Sequence, residues 1–277
     1  MRHFKALLFV LLGLLRAVRC RLSLSAPLVL SLVVLLSACV TTVDGPFTDK
    51  TDKPKAASQY VQLGLAYFQQ GQYEVAIQKL EKALEIQPGQ HEANAALGLV
   101  YKAQNEASVA EDHFRKALRA KPDYTRGRTY YAAFLYQQGR LEEAVEQFEI
   151  AAEDVAYPNR AQIYSNIGLV NVRQSKLEEA IDAYRRSLSL RRDQPQVVLA
   201  LATLYYKTDD MVTASTYYQD YKRSVRARQA SHTPQSLRLG IDIARSQQDL
   251  NDEASLTMLL RSLFPNSSEY QDLKDVN

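Results

Sequence analysis

Two consecutive stretches of thirty-four residues, Ala57 to Gln90 and His91 to Tyr124, match each other position by position. Leu63-Gly64 returns as Leu97-Gly98, Tyr67 as Tyr101, Ala76 as Ala110, Ala83 as Ala117 and Pro88 as Pro122. No other feature constrains the fold as tightly, because a unit this short cannot bury its own apolar face and must stack on copies of itself. Each unit reads as two antiparallel helices. Gly64 and Gly98 on the first helix, and Ala76 and Ala110 on the second, leave room for a close crossing. Tyr67, Tyr101, Leu80 and Phe114 fill the space between helices, and the prolines end the second helix.

A thirty-four-residue period with these markers resembles the tetratricopeptide repeat, which implies an all-α fold, a right-handed superhelix of helical hairpins. Row three keeps Leu135, Gly139, Ala144 and Phe148, with two residues inserted before Pro158. Row four keeps Ile167-Gly168, Ala180 and Tyr184, but Asn171 stands where rows one and two have Tyr. Row five keeps Leu201-Ala202, Tyr205, Ala214 and Tyr218. The alanine markers Ala76, Ala110, Ala144, Ala180, Ala214 and Ala254 step by 34, 34, 36, 34 and 40, which predicts six hairpins. Leu239-Gly240 and Ala254 are expected to define the sixth, with Leu263-Phe264-Pro265 closing it and a short helical turn over 267–273 as cap.

Upstream of the repeats, two apolar runs, Ala6 to Leu15 and Leu22 to Leu36, flank Arg16, Arg19 and Arg21. Each is shorter than the roughly 20 residues that cross a bilayer comfortably, as in a signal peptide. The second ends in Leu36-Ser37-Ala38-Cys39, which resembles the bacterial lipobox at all four positions. The expected organisation is a lipoprotein signal peptide over 1–38, a lipidated flexible tether over 39–55, the superhelix over 56–266 and a cap or tail over 267–277. Cys39 is the expected acylated N-terminus of the mature chain. Val40 after the cysteine departs from the inner-membrane retention signal, so the resemblance implies delivery to the outer membrane. Cys20 lies in the leader, leaving no disulfide to support the mature fold.

The net charge of +3 comes from the leader. Residues 1–38 carry five basic side chains and no acid, so the remainder holds 29 Lys+Arg against 31 Asp+Glu, a net of −2. That balance gives no case for nucleic acid. Reactive groups are sparse: His91, His113 and His232 have no i, i+4 ligand pairing, and no phosphate loop or nucleophile elbow appears. We expect neither catalysis nor a metal or cofactor. Glu142-Glu143 and Glu178-Glu179 read as acids in the first turn of a helix, complementing its dipole. Lys222, Arg223, Arg226 and Arg228 read as a solvated face.

Binding is then expected on the inner face of the superhelix, lined by the first helices. The groove candidates are Val61, Leu65 and Phe68 in row one, Leu99 and Lys102 in row two, and Tyr136 in row three. Rows four and five add Leu169 and Val172, then Leu199 and Tyr206. Apolar side chains on a face that should be wet suggest docking of a partner segment. The basic and Asn residues of a carboxylate clamp are missing from the fifth and ninth positions of the rows, among them Val61, Leu65 and Leu99, which disfavours a receptor for acidic chaperone tails.

A lipobox, a tether and six such rows, together with Gly71-Gln72-Tyr73, the insertion at Asp154 to Tyr157 and the ending Leu263 to Tyr270, resemble the type IV pilus biogenesis and stability lipoproteins, the secretin pilotins. The resemblance implies a monomeric outer-membrane lipoprotein facing the periplasm. It would bind type IV pilus secretin subunits and promote their localisation and multimerisation. The alternative is a periplasmic adaptor for another envelope machine, in outer-membrane protein assembly or peptidoglycan remodelling.

Overall fold

The computed structural model describes residues 52–275; the leader, Cys39 and the tether as far as Thr51 lie outside them, as do residues 276–277. Thirteen helices and no strand occupy the described residues. Rows one to three are α1 (Lys53–Gln69) with α2 (Tyr73–Ile86), α3 (His91–Ala103) with α4 (Ala107–Ala120), and α5 (Thr125–Gln137) with α6 (Leu141–Ala152). Rows four to six are α7 (Arg160–Arg173) with α8 (Leu177–Leu190), α9 (Pro195–Lys207) with α10 (Met211–Arg226), and α11 (Pro234–Ser246) with α12 (Leu250–Leu263). A short α13 (Ser268–Asp275) follows and packs mainly on α11. The six hairpins form the superhelix of the tetratricopeptide fold. No described helix is long and apolar enough to cross a membrane.

The hairpins form as the small residues dictate. A Cβ added to Gly64 would stand 2.6 Å from Leu80, one on Gly98 2.7 Å from Phe114, and one on Gly168 2.7 Å from Tyr184. In each case the large side chain sixteen positions later occupies the space that the glycine leaves, so bulk and its absence are matched across the hairpin. Ala76, Ala110, Ala144, Ala180 and Ala214 are fully buried on the second helices.

Each first helix ends on one residue of left-handed backbone: Gly71, Asn105, Gly139, Ser175, Asp209 and Gln248, with φ between 59° and 76°. The following N–H closes back onto the carbonyl five residues earlier, as in Gln72 N to Tyr67 O at 3.0 Å and Lys176 N to Asn171 O at 2.9 Å. This capping motif satisfies carbonyls that the helix end leaves open and sets the reversal into the second helix.

These turns correct the register of row six. Gln248 follows Asp209 by 39 positions, so the second-helix marker belongs to Glu253, and Ala254 is exposed. Glu253 accepts from Arg245 Nε at 2.5 Å. By the same register Gly240 stands where row two has Leu97, while Ile241 takes the place of Gly98 and Thr257 that of Phe114. Gly240 makes room instead for Tyr218 of row five, so Leu239-Gly240 imitates the motif one residue out of step.

Both ends also differ from expectation. Helix α1 begins at Lys53, three residues inside the segment assigned to the tether, because Asp52 caps it by accepting from Lys55 N at 3.4 Å and Pro54 fits the first turn. The cap is a full eight-residue helix, and its Leu273 is buried in the last apolar cluster with Leu237, Leu256 and Leu260. The core runs along the stack as a series of clusters, each shared between neighbouring rows.

Candidate partner-binding surfaces

First helices of successive rows touch each other, α1 with α3, α3 with α5, α5 with α7 and α9 with α11, whereas second helices mainly meet the first helix of the next row. The closer approach of the first helices places them on the inside of the curve. That contact decides the fate of most groove candidates. Val61 is only 5% exposed and belongs to the row-one core; it is not a groove residue, because α3 lies against that side of α1. Leu65 and Phe68 are half-buried against the same cluster, with the Phe68 ring 6.0 Å from that of Tyr73. Leu99 and Tyr136 pack on the central cluster, Val172 on the row-four cluster, and Leu199 and Tyr206 on the terminal cluster. The buried parts of these candidates therefore belong to four different core clusters.

Four of the groove candidates carry distinct chemistry. Leu169 on α7 is 45% exposed, the one large apolar candidate left open to solvent. Lys102 on α3 joins no ion pair within 4.0 Å among the described residues, and partial burial lowers its ammonium pKa, so an incoming carboxylate would be welcome there. Tyr136 lies under Arg173, whose guanidinium carbon is 5.1 Å from the ring centre and whose Nη1 donates to Tyr136 O at 3.3 Å. Burial is the largest influence on Tyr206, and together with the Asp242 carboxylate it raises the phenol pKa.

Several other charged groups support the fold. Glu142-Glu143 and Glu178-Glu179 occupy the first turns of α6 and α8. Lys222 binds Asp252 at 2.7 Å, and Arg223 pairs with Asp220. Burial lowers the pKa of His91, His113 and His232. His113 stacks on Tyr101 with ring centres 5.4 Å apart. No group of three His, Cys, Asp or Glu among the described residues could hold a metal ion.

Comparison with known proteins places this scaffold. Tetratricopeptide repeat profiles match residues 64–105, 91–124 and 125–193. The type IV pilus assembly protein PilF of Pseudomonas aeruginosa is 37% identical over 254 residues, covering 91% of this chain and 99% of PilF. The chain belongs to the PilF family of type IV pilus biogenesis proteins. A solved PilF structure from the same organism matches with a TM-score of 0.73, covering 81% of this chain and 99% of that one. PilW, described as a widely conserved type IV pilus biogenesis factor, matches at 25% identity with a TM-score of 0.66, covering 78% and 97%. MamA from Desulfovibrio magneticus shares the fold alone, at 20% identity and a TM-score of 0.55 over 65% and 98%. As a PilF-family member, the chain has a role in type IV pilus biogenesis, and its repeats are a scaffold for protein interaction.

Proposed function

We propose that the chain is the lipid-anchored pilotin of a type IV pilus secretin: an outer-membrane lipoprotein, facing the periplasm, that binds secretin subunits and promotes their multimerisation. The observation that carries this reading is the 37% identity to a pilus assembly protein across 99% of that protein's length. The Leu36-Ser37-Ala38-Cys39 lipobox supports the anchor. In this reading the acyl chains on Cys39 hold the protein on the outer membrane, while the first-helix face around Lys102, Tyr136 and Leu169 engages an amphipathic secretin segment.

The anchor and the binding face perform separate tasks, which makes the proposal testable in parts. Envelope fractionation with fatty-acid labelling should find the wild-type chain acylated in the outer membrane. Cys39→Ser should abolish the label and release the protein, with secretin multimers failing to accumulate there. A Cys39→Ser protein that fractionates normally, beside normal multimers, would refute the anchor.

A further inference from the structure

A pair of rings braces the hairpins of rows two and five. Tyr101 stacks on His113 at 5.4 Å with an interplanar angle of 9°, and Tyr205 stacks on Tyr217 at 5.5 Å and 6°. Thirty-four positions before Tyr205 and Tyr217 stand Asn171 and Ala183. Row four has no ring at either position, as row three has none at Leu135 and Gln147, and in row four a cleft of about 450 Å³ lies between α6, α7 and α8, lined by Ala152, Ile167, Asn171 and Ala183 among others. That volume falls within the roughly 300–1,000 Å³ of ordinary ligand pockets.

Asn171 is only 6% exposed, yet its side-chain amide makes no hydrogen bond among the described residues and opens on the cleft. Its amide atoms reach solvent at the cleft, where a bound group can take the place of water as hydrogen-bond partner. The rim carries Glu149, Glu153, Glu179 and Asp182, none of them in an ion pair within 4.0 Å among the described residues. The two basic residues of the lining are engaged locally. Arg160 and Arg186 lie 5.5 and 5.9 Å from the ring centre of Tyr164, and Arg160 Nε donates to Ala152 O at 2.7 Å. Four carboxylates against these two guanidiniums leave the lining net negative, at −2.

We propose that this cleft receives a tyrosine side chain from a Lys/Arg-rich segment of a partner protein. The ring takes the space that the row-five pair fills from within, the phenol hydroxyl bonds the Asn171 amide, and flanking cations meet the four carboxylates. Two of the three walls are second helices, so the site is separate from the first-helix face assigned above, and its test does not depend on the secretin reading.

The probe is the capped peptide Lys-Lys-Tyr-Lys-Lys, titrated into the full chain in detergent and followed by NMR on the Asn171 side-chain amide and the Ile167 methyls. Saturable shifts are expected, with at least tenfold weaker binding of Lys-Lys-Ala-Lys-Lys and of Glu-Glu-Tyr-Glu-Glu. The Asn171→Tyr, Ala183→Tyr double variant rebuilds the ring pair and should keep its helical circular dichroism while losing the peptide. If that variant does not fold, Ala183→Leu, which only narrows the cleft, should weaken binding at least fivefold. Equal binding of the Tyr and Ala peptides, no shifts at these groups, or undiminished binding by the filled variants would each overturn the proposal.

Discussion

Glu111 ties row two to row three. Its Oε1 accepts from Arg140 Nη1 at 2.8 Å, Tyr131 OH at 2.9 Å and Arg115 Nη2 at 2.7 Å. Burial acts to raise its pKa, but the hydrogen bonds from Arg140 and Tyr131, with the two nearby guanidinium charges, outweigh it and hold the carboxyl below its ordinary value. A carboxylate depressed in the folded state stabilises above its unfolded pKa, and that contribution is lost as pH falls through the folded value. The urea midpoint should therefore drop as the pH falls below the ordinary glutamate pKa of about 4.3, and Glu111→Gln should flatten this dependence; an unaltered pH profile in the variant would remove Glu111 from the account. The glycines allow a second test. Gly98→Ala forces a methyl against the Phe114 ring and should cost about 1–3 kcal/mol. Gly89→Ala meets nothing within 4 Å and should be close to neutral in the same denaturation assay. Such matched pairs were legible in the sequence, since Gly98 and Phe114 recur at fixed offsets. Groove residues were not. A first-helix apolar side chain satisfies the same pattern whether it faces solvent, as Leu169 does, or the neighbouring first helix, as Val61 does.

Among the elements, the turn after each first helix keeps the register better than any side chain inside a helix. The left-handed residues are glycine only at Gly71 and Gly139, while Ser175 and Gln248 hold φ of 60° and 59° with a Cβ in place. That conformation costs an ordinary L-residue roughly 1–2 kcal/mol, partly offset by the greater backbone entropy that glycine loses on folding. Ser175→Gly and Gln248→Gly should each raise stability by up to about 1 kcal/mol, whereas Asn105→Gly should change little because Asn tolerates this region. A thermal melt of the three variants decides the matter, and destabilisation by Gln248→Gly would argue against the capping turn in row six. The sixth row shows why dipeptide motifs can mislead. Leu239-Gly240 carries the expected residues, but the backbone reversal at Gln248 sets the true register, and only packing shows that Gly240 makes room for Tyr218 of the preceding row. Asn171 was visible in the sequence as a departure from Tyr; that Ala183 completes the missing ring pair became evident only with both helices in place.

As a whole molecule, the stack is nearly one-dimensional, each row depending on its neighbours. Six hairpins and their order follow from the repeat alone, while the length of α13 does not, because a terminal element answers to the face that it covers. Leu273 is 2% exposed in the terminal cluster. A chain ending at Asn266 should lose amide-exchange protection in α11 and α12 while keeping it in rows one to three. Uniform loss across the stack would show instead that it unfolds as a single unit. Photo-crosslinking in the native envelope tests the partner assignment most directly. A photoreactive residue at Leu169, on the first-helix face, should yield adducts with secretin subunits, and one at the similarly exposed Leu190, on the second helix α8, should yield few. Equal yields at the two positions, or adducts at Leu169 with other envelope proteins in place of secretin, would contradict the reading of this chain as a secretin pilotin.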